Sequence, residues 1–111
     1  MLQGADQTVS SGEYDAMIIG AGPAGLSAAV NACVRKKSLA VIARRLTSPS
    51  LEKAPWIENF LGVERISGRE LSARFVNHAR AAGAELIESD ITGVFNLGDS
   101  FVALGSDGEF S

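Results

Sequence analysis

Three glycines and a proline stand where a phosphate could be held. Residues 17–26 read MIIGAGPAGL, and Gly20, Gly22 and Gly25 match the spacing G-x-G-x-x-G. Each position has a physical task in such a turn. At Gly20 the chain must turn sharply out of an apolar run. At Gly22 a missing side chain lets a pyrophosphate approach the backbone, and at Gly25 it lets a following helix pack closely on the strand. Pro23 presets the helical φ at the first turn, where its amide would lack an intrahelical partner anyway. Free amides around Ala24, with about half a positive charge from the helix dipole, then face an anion. The chemistry on offer is the binding of a dinucleotide. No nucleophile, general base or oxyanion site can be named, so the catalytic set is empty.

Such a turn means little without the elements that carry it. The apolar residues from Tyr14 to Ile19 suit a buried parallel strand. Pro23 to Lys36 suits a helix rich in alanine, with Arg35, Lys36 and Lys37 at the negative end of its dipole. Ala28, Ala29 and Ala32 extend the close contact begun at Gly25. Ser38 to Ala43, SLAVIA, suits a second buried strand. Strand, glycine turn, helix and strand make a βαβ unit with a right-handed crossover. That context separates a dinucleotide turn from a merely glycine-rich one.

Residues 44–66 carry two prolines and mixed charge and predict a long irregular connection. Ser67 and Glu70 then form the capping-box pattern S-x-x-E. Leu71, Phe75, Ala79 and Ala82 trace an apolar stripe, and Gly83 is placed to end the helix. AELIES, residues 84–89, predicts a third parallel strand. From Asp90 onward, short apolar runs alternate with turn signals at Asn96, Gly98-Asp99 and Ser106-Asp107-Gly108, which predicts a β-meander. The expected fold class is α/β: a Rossmann-like βαβ unit with a parallel sheet, of the three-layer FAD/NAD(P)-binding type, plus an incomplete meander.

Which dinucleotide the turn serves is a separate question. The pattern expects an acidic residue at the end of the second strand to accept from a ribose. That slot holds Ala43, followed by Arg44 and Arg45. Either an arginine meets the 2′-phosphate of NADP, or backbone groups hold the ribose while the arginines line the adenine edge or face water.

Composition narrows the classes further. The chain has 111 residues, 46% hydrophobic and 21% charged, with a formal net charge of -3. This mild acidity offers nothing to nucleic acid or an anionic membrane, and no apolar run approaches the ~20 residues of a membrane span. Residues 1–13 read as a flexible polar leader without a signal-peptide pattern, so a cytoplasmic location is expected. Cys33 is the only cysteine, which excludes an internal disulfide or a CxxC pair, and its small apolar neighbours predict a buried, inert thiol. His78, also alone, has no second ligand at metal spacing and reads as a surface residue; no metal site is expected.

From about Tyr14 to Phe110 the chain resembles the amino-terminal part of the low-molecular-weight thioredoxin reductases, kin of the flavoprotein reductases that serve peroxiredoxins. GAGPAGLSAAV is similar to that family's FAD-pyrophosphate turn and helix. IENFLG, residues 57–62, resembles its flavin-side V-E-N-[YFW]-P-G element. ISGRELSARFVNHARAAGAELI resembles the family's next helix and strand, and ITGVFNLGDSFVALGSDGEF resembles its meander. The resemblance implies FAD as cofactor, with Gly20, Gly22, Pro23, Ala24 and Gly25 at its pyrophosphate, Arg44 near the nucleotide, and Asn59 toward the ribityl or flavin end. It implies that residues 14–111 are the first part of a discontinuous FAD domain. The parent would pass electrons from a nicotinamide or another donor through FAD to a disulfide. NADPH would belong to a further domain, and a thioredoxin-like or peroxiredoxin-like protein would be the partner. Some members also lack the acid at the second strand's end.

Two departures stand out. RRLTSPSLEKAPW replaces the family's Gly-Gly-Gln segment, and Leu61 replaces the usual proline. The alternatives are an NADP-binding Rossmann segment of an oxidoreductase and a nucleotide-binding module without redox activity. With only part of the cofactor's enclosure in its own residues, the 111-residue chain alone is expected to hold FAD weakly or not at all and to be inactive. An unfinished sheet edge also makes a homodimer a partner to test.

Overall fold

The computed structural model describes residues 13–111, so most of the expected leader lies outside the described residues. Three strands form a parallel sheet in the order β1 (Ala16–Ile19), β2 (Leu39–Ala43), β3 (Glu85–Glu88). Helix α1 (Pro23–Val34) connects the first two, and a short α2 (Pro49–Glu52) and a long α3 (Gly68–Ala82) lie between β2 and β3. An antiparallel meander of β4 (Ile91–Asn96), β5 (Phe101–Gly105) and β6 (Gly108–Phe110) completes the described chain.

The layering follows from β2, which is buried at all five positions. Side chains alternate across a strand. Leu39, Val41 and Ala43 join Leu26 and Ala29 of α1 and Val76 and Ala79 of α3 in one core cluster. Ala40 and Ile42 face the other way, into a second cluster with Ile87, Ala103 and Phe110. The sheet is thus covered by helices on one face and by the meander on the other, the three layers expected. Two covered faces explain why SLAVIA shows no polar alternation.

β1 departs from the expectation. It begins at Ala16 rather than Tyr14, and its ends, Ala16 and Ile19, are exposed instead of buried. The Tyr14 amide donates to the Ser111 carbonyl at 3.0 Å, which takes that residue out of the parallel ladder. β1 pairs with β2 alone among the described strands, so its other edge is uncovered. Asp15 ties the start of β1 to the start of β2: its carboxylate accepts from the Ser38 amide at 2.8 Å.

α1 also ends earlier, at Val34, with Arg35 as C-cap and Lys36 in the left-handed region at φ 66°. The three cations therefore follow the last turn instead of occupying it. Cys33 is half-buried against the core, more exposed than its apolar neighbours suggested. The 44–66 stretch is more ordered than expected. It contains α2 and a small hairpin in which Ile57 and Ile66 exchange backbone hydrogen bonds of 2.8 and 3.1 Å.

α3 starts with half of the expected capping box: the Ser67 hydroxyl accepts from the Glu70 amide at 3.1 Å, without the reciprocal bond from the Ser67 amide. The Glu70 carboxylate meets Arg74 at 3.5 Å, one turn along the same face. Gly83 closes the helix at φ 115°, a conformation open to glycine. The buried stripe runs through Leu71, Ser72, Val76 and Ala79; Phe75 and Ala82 are only half-buried. Gly68 is fitted to its neighbour, since a Cβ there would collide with the Leu51 carbonyl at the end of α2. No described helix is long and apolar enough to cross a membrane.

Candidate functional site

The carboxyl ends of β1, β2 and β3 lie side by side, and hydrogen bonds knit them. The Gly20 amide donates to the Ile42 carbonyl at 2.9 Å, and the Ser89 amide donates to the Ala43 carbonyl at 2.9 Å. Crevices at this edge of a parallel sheet are where α/β folds take ligands.

The glycine turn occupies the β1 end. Gly20 has φ 115°, which only glycine adopts at little cost. Gly22 is the N-cap of α1 with extended φ and ψ, and no heavy atom stands within 4 Å of where its Cβ would be. Gly25 is the opposite case. A Cβ there would come within 2.6 Å of the Gly20 carbonyl oxygen and 3.1 Å of the Ile18 side chain. One glycine is needed by the fold; the other leaves space that the fold does not fill.

Pro23 stands at the first helical position, and the first capping bond runs from the Leu26 amide to the Gly22 carbonyl at 3.0 Å. Among the described residues, the amides of Ala21, Gly22, Ala24 and Gly25 donate to no other group. Four unpaired donors at the positive end of a helix form an anion cradle. Gly20, Gly22, Pro23, Ala24 and Gly25 thus form one turn that ends in the open N-terminus of α1.

Arg44 follows β2 directly, and its guanidinium meets the Asp90 carboxylate at 3.2 Å, the two side chains 75% and 50% exposed. Asp90 is itself fixed: its amide donates to the Ser106 hydroxyl at 3.4 Å, and its carbonyl accepts from the Ser106 amide at 3.1 Å. Arg45 is exposed. No local signal in the sequence marks Asp90, because the pairing joins residues 46 apart.

Asn59 is exposed in the hairpin and lines a shallow surface with residues 58–64, apart from the glycine turn. Its neighbour Phe60 packs on α3 instead. The Phe60 and Phe75 rings pack at 5.5 Å and border a hollow of about 560 Å3 with Pro23, Ala24, Leu26 and His78. The hairpin is held from behind by Arg65, stacked 4.0 Å over the Trp56 ring and 3.5 Å from Glu58. His78 is exposed at the rim of the hollow, as a surface residue should be. Among the described residues no group of three or more His, Cys, Asp or Glu side chains could hold a metal ion.

No family model matches the chain. Curated relatives do. Thioredoxin reductase of Bacillus subtilis is 40% identical over 83 residues, which is 75% of this chain and 26% of that protein. Among solved structures, the Lactococcus lactis thioredoxin reductase superposes with a TM-score of 0.82 at 32% identity, over 88% of this chain and 32% of that one. A ferredoxin-flavin thioredoxin reductase from Clostridium acetobutylicum gives 0.81 at 37% identity, over 89% of this chain and 34% of that one. The chain spans about a quarter of the length of the curated relatives it matches. Over most of its residues it is thioredoxin reductase-like, in sequence and in fold.

Proposed function

We propose, from the thioredoxin reductase likeness that runs through most of this chain, that it is the FAD-binding segment of a flavoprotein disulfide reductase. The observation that carries the reading is the cradle at the start of α1. Its amides of Ala21, Gly22, Ala24 and Gly25 lack acceptors among the described residues, and the space beside Gly22 is open. When bound there, FAD supplies the redox chemistry toward a disulfide. The chain's own residues bind and orient. The amides would hold the pyrophosphate, Gly25 keeps α1 close on β1, and Pro23 presets the first turn. Asn59 is assigned to the flavin side on the strength of the IENFLG likeness. The parent's partner would be a thioredoxin-like or peroxiredoxin-like protein, its electrons would come from a nicotinamide or another donor, and a cytoplasmic location is part of the same proposal.

The two glycines provide the test. Gly22→Ala places its methyl in open space, so the fold should lose only about 0.5–1 kcal/mol, the N-cap preference for glycine over alanine, while affinity for FAD falls about tenfold or more, the worth of one charge-assisted hydrogen bond. Gly25→Ala drives a methyl into the Gly20 carbonyl and should destabilise the fold itself by about 1–3 kcal/mol. Affinity is followed by amide shifts in an NMR titration with FAD, which registers weak binding. Unchanged FAD affinity in Gly22→Ala refutes the cradle.

A further inference from the structure

The expected acid at the end of β2 is absent, yet the structure brings a carboxylate from the end of the neighbouring strand to the Arg44 side chain. We propose that the Arg44–Asp90 pair, standing across the carboxyl ends of β2 and β3, reads the ribose of the bound nucleotide and selects a bare 2′-hydroxyl over a 2′-phosphate. The proposal rests on the dinucleotide reading above and adds a specificity-determining residue, Asp90, to it.

The Ile42 and Ala43 carbonyls at the end of β2 are bonded to Gly20 on one side and to Ser89 on the other. Neighbouring strands lie about 4.8 Å apart, so Arg44 at the end of β2 is one strand spacing from the end of β1 and Asp90 beyond β3 is two, about 10 Å. A dinucleotide whose phosphates sit at the start of α1 lays its adenosine ribose over the end of the second strand. A carboxylate arriving from the start of the meander can therefore meet the ribose hydroxyls that one at the end of β2 usually meets.

Among the described residues, one Asp90 carboxylate oxygen accepts from Arg44 and the other has no partner, leaving it to accept from a hydroxyl. Two hydrogen bonds to Ser106 in the β5–β6 turn fix the Asp90 backbone just past the end of β3, and its carboxylate is held by the ion pair with Arg44. Arg44 alone would attract a 2′-phosphate. Paired at 3.2 Å with Asp90, its charge is offset, and a phosphate entering would meet the carboxylate. FAD carries a bare 2′-hydroxyl on its adenosine ribose, so the selectivity agrees with the proposed cofactor.

The test uses the 111-residue chain with two probes, ADP-ribose and its 2′-phosphorylated form, titrated by NMR at low salt. The wild-type chain should bind ADP-ribose about tenfold more tightly than the 2′-phosphate form. Asp90→Asn, which removes the charge and keeps the shape, should weaken ADP-ribose and strengthen the 2′-phosphate form, closing or reversing that ratio. Arg44→Ala in the presence of Asp90 should weaken the 2′-phosphate form further. Circular dichroism confirms that each variant is folded, and a ratio is insensitive to a uniform loss of binding. An unchanged ratio in Asp90→Asn, or no wild-type preference, overturns the ribose assignment and leaves the dinucleotide reading standing. ADP-ribose needs only the pyrophosphate turn and the ribose site, both within this chain, so failure of the folded wild-type chain to bind either probe overturns the dinucleotide reading, and the assignment with it.

Discussion

Tyr14, just before β1, is the chain's one tyrosine, and its hydroxyl donates to a Glu85 carboxylate oxygen of β3 at 2.8 Å. Burial, then the hydrogen bond, then the carboxylate's negative charge all favour the neutral phenol, and its pKa is pushed up to about 12 from 10.0. The sign of the linkage is set by the direction of that shift. A group with a higher pKa in the folded state contributes stability fully below its unfolded value, and loses it as pH climbs through the folded one. The Tyr14 contribution is therefore intact below pH 10 and disappears between about pH 10 and 12. With a single tyrosine, absorbance at 295 nm reads this directly: the native chain should ionise near pH 12 and the urea-unfolded chain near pH 10. A native titration centred at 10 would mean that the Glu85 bond is not formed in solution. The same scale explains the two glycines. Gly25 is a packing residue, because a backbone oxygen stands where its Cβ would go; Gly22 is free of that constraint, which makes it the better probe of binding.

Among the elements, α3 has the clearest local logic. Its N-cap hydroxyl, its glycine C-cap and its buried stripe act together to place Phe75 and His78 beside the start of α1. Ser67→Ala removes the one side-chain cap and should cost about 1 kcal/mol, read as a lowered urea midpoint with unchanged slope. Ser67→Gly should cost only a few tenths, since glycine at an N-cap leaves the amides open to water. The Trp56–Arg65 stack plays a comparable part for the hairpin that carries Asn59, closing it with a cation–π contact and the Glu58 ion pair.

At the scale of the whole molecule, the open edge of β1 dominates. Ile19 is 50% exposed at that edge, and Val94, Leu97 and Phe101 of the meander stand exposed around the same groove. An uncovered strand flanked by apolar side chains is a template for pairing with another chain. A homodimer through this edge is therefore a proposal with a direct check. Sedimentation velocity should show association that grows with concentration, and Ile19→Lys, which puts a charge on the edge, should suppress it. A chain that stays monomeric across the concentration range would remove the edge as an interface.

Local rules determined a good deal of this protein from its sequence. The glycine turn, the Ser67 and Gly83 caps, the succession of strands and the meander were all legible, because each depends on residues within a few positions of one another. The continuous burial of SLAVIA was legible too, since a strand covered on both faces has no polar positions to alternate. Other features depended on pairings distant in sequence. The exposure of Ile19 follows from which strands flank β1, and the shortened first strand follows from a bond between Tyr14 and Ser111. Asp90 shows the difference most clearly. The empty acidic slot at Ala43 could be read from the sequence, but the carboxylate beside it comes from the next strand over. Only the parallel pairing of β2 with β3 places residues 44 and 90 within reach of each other.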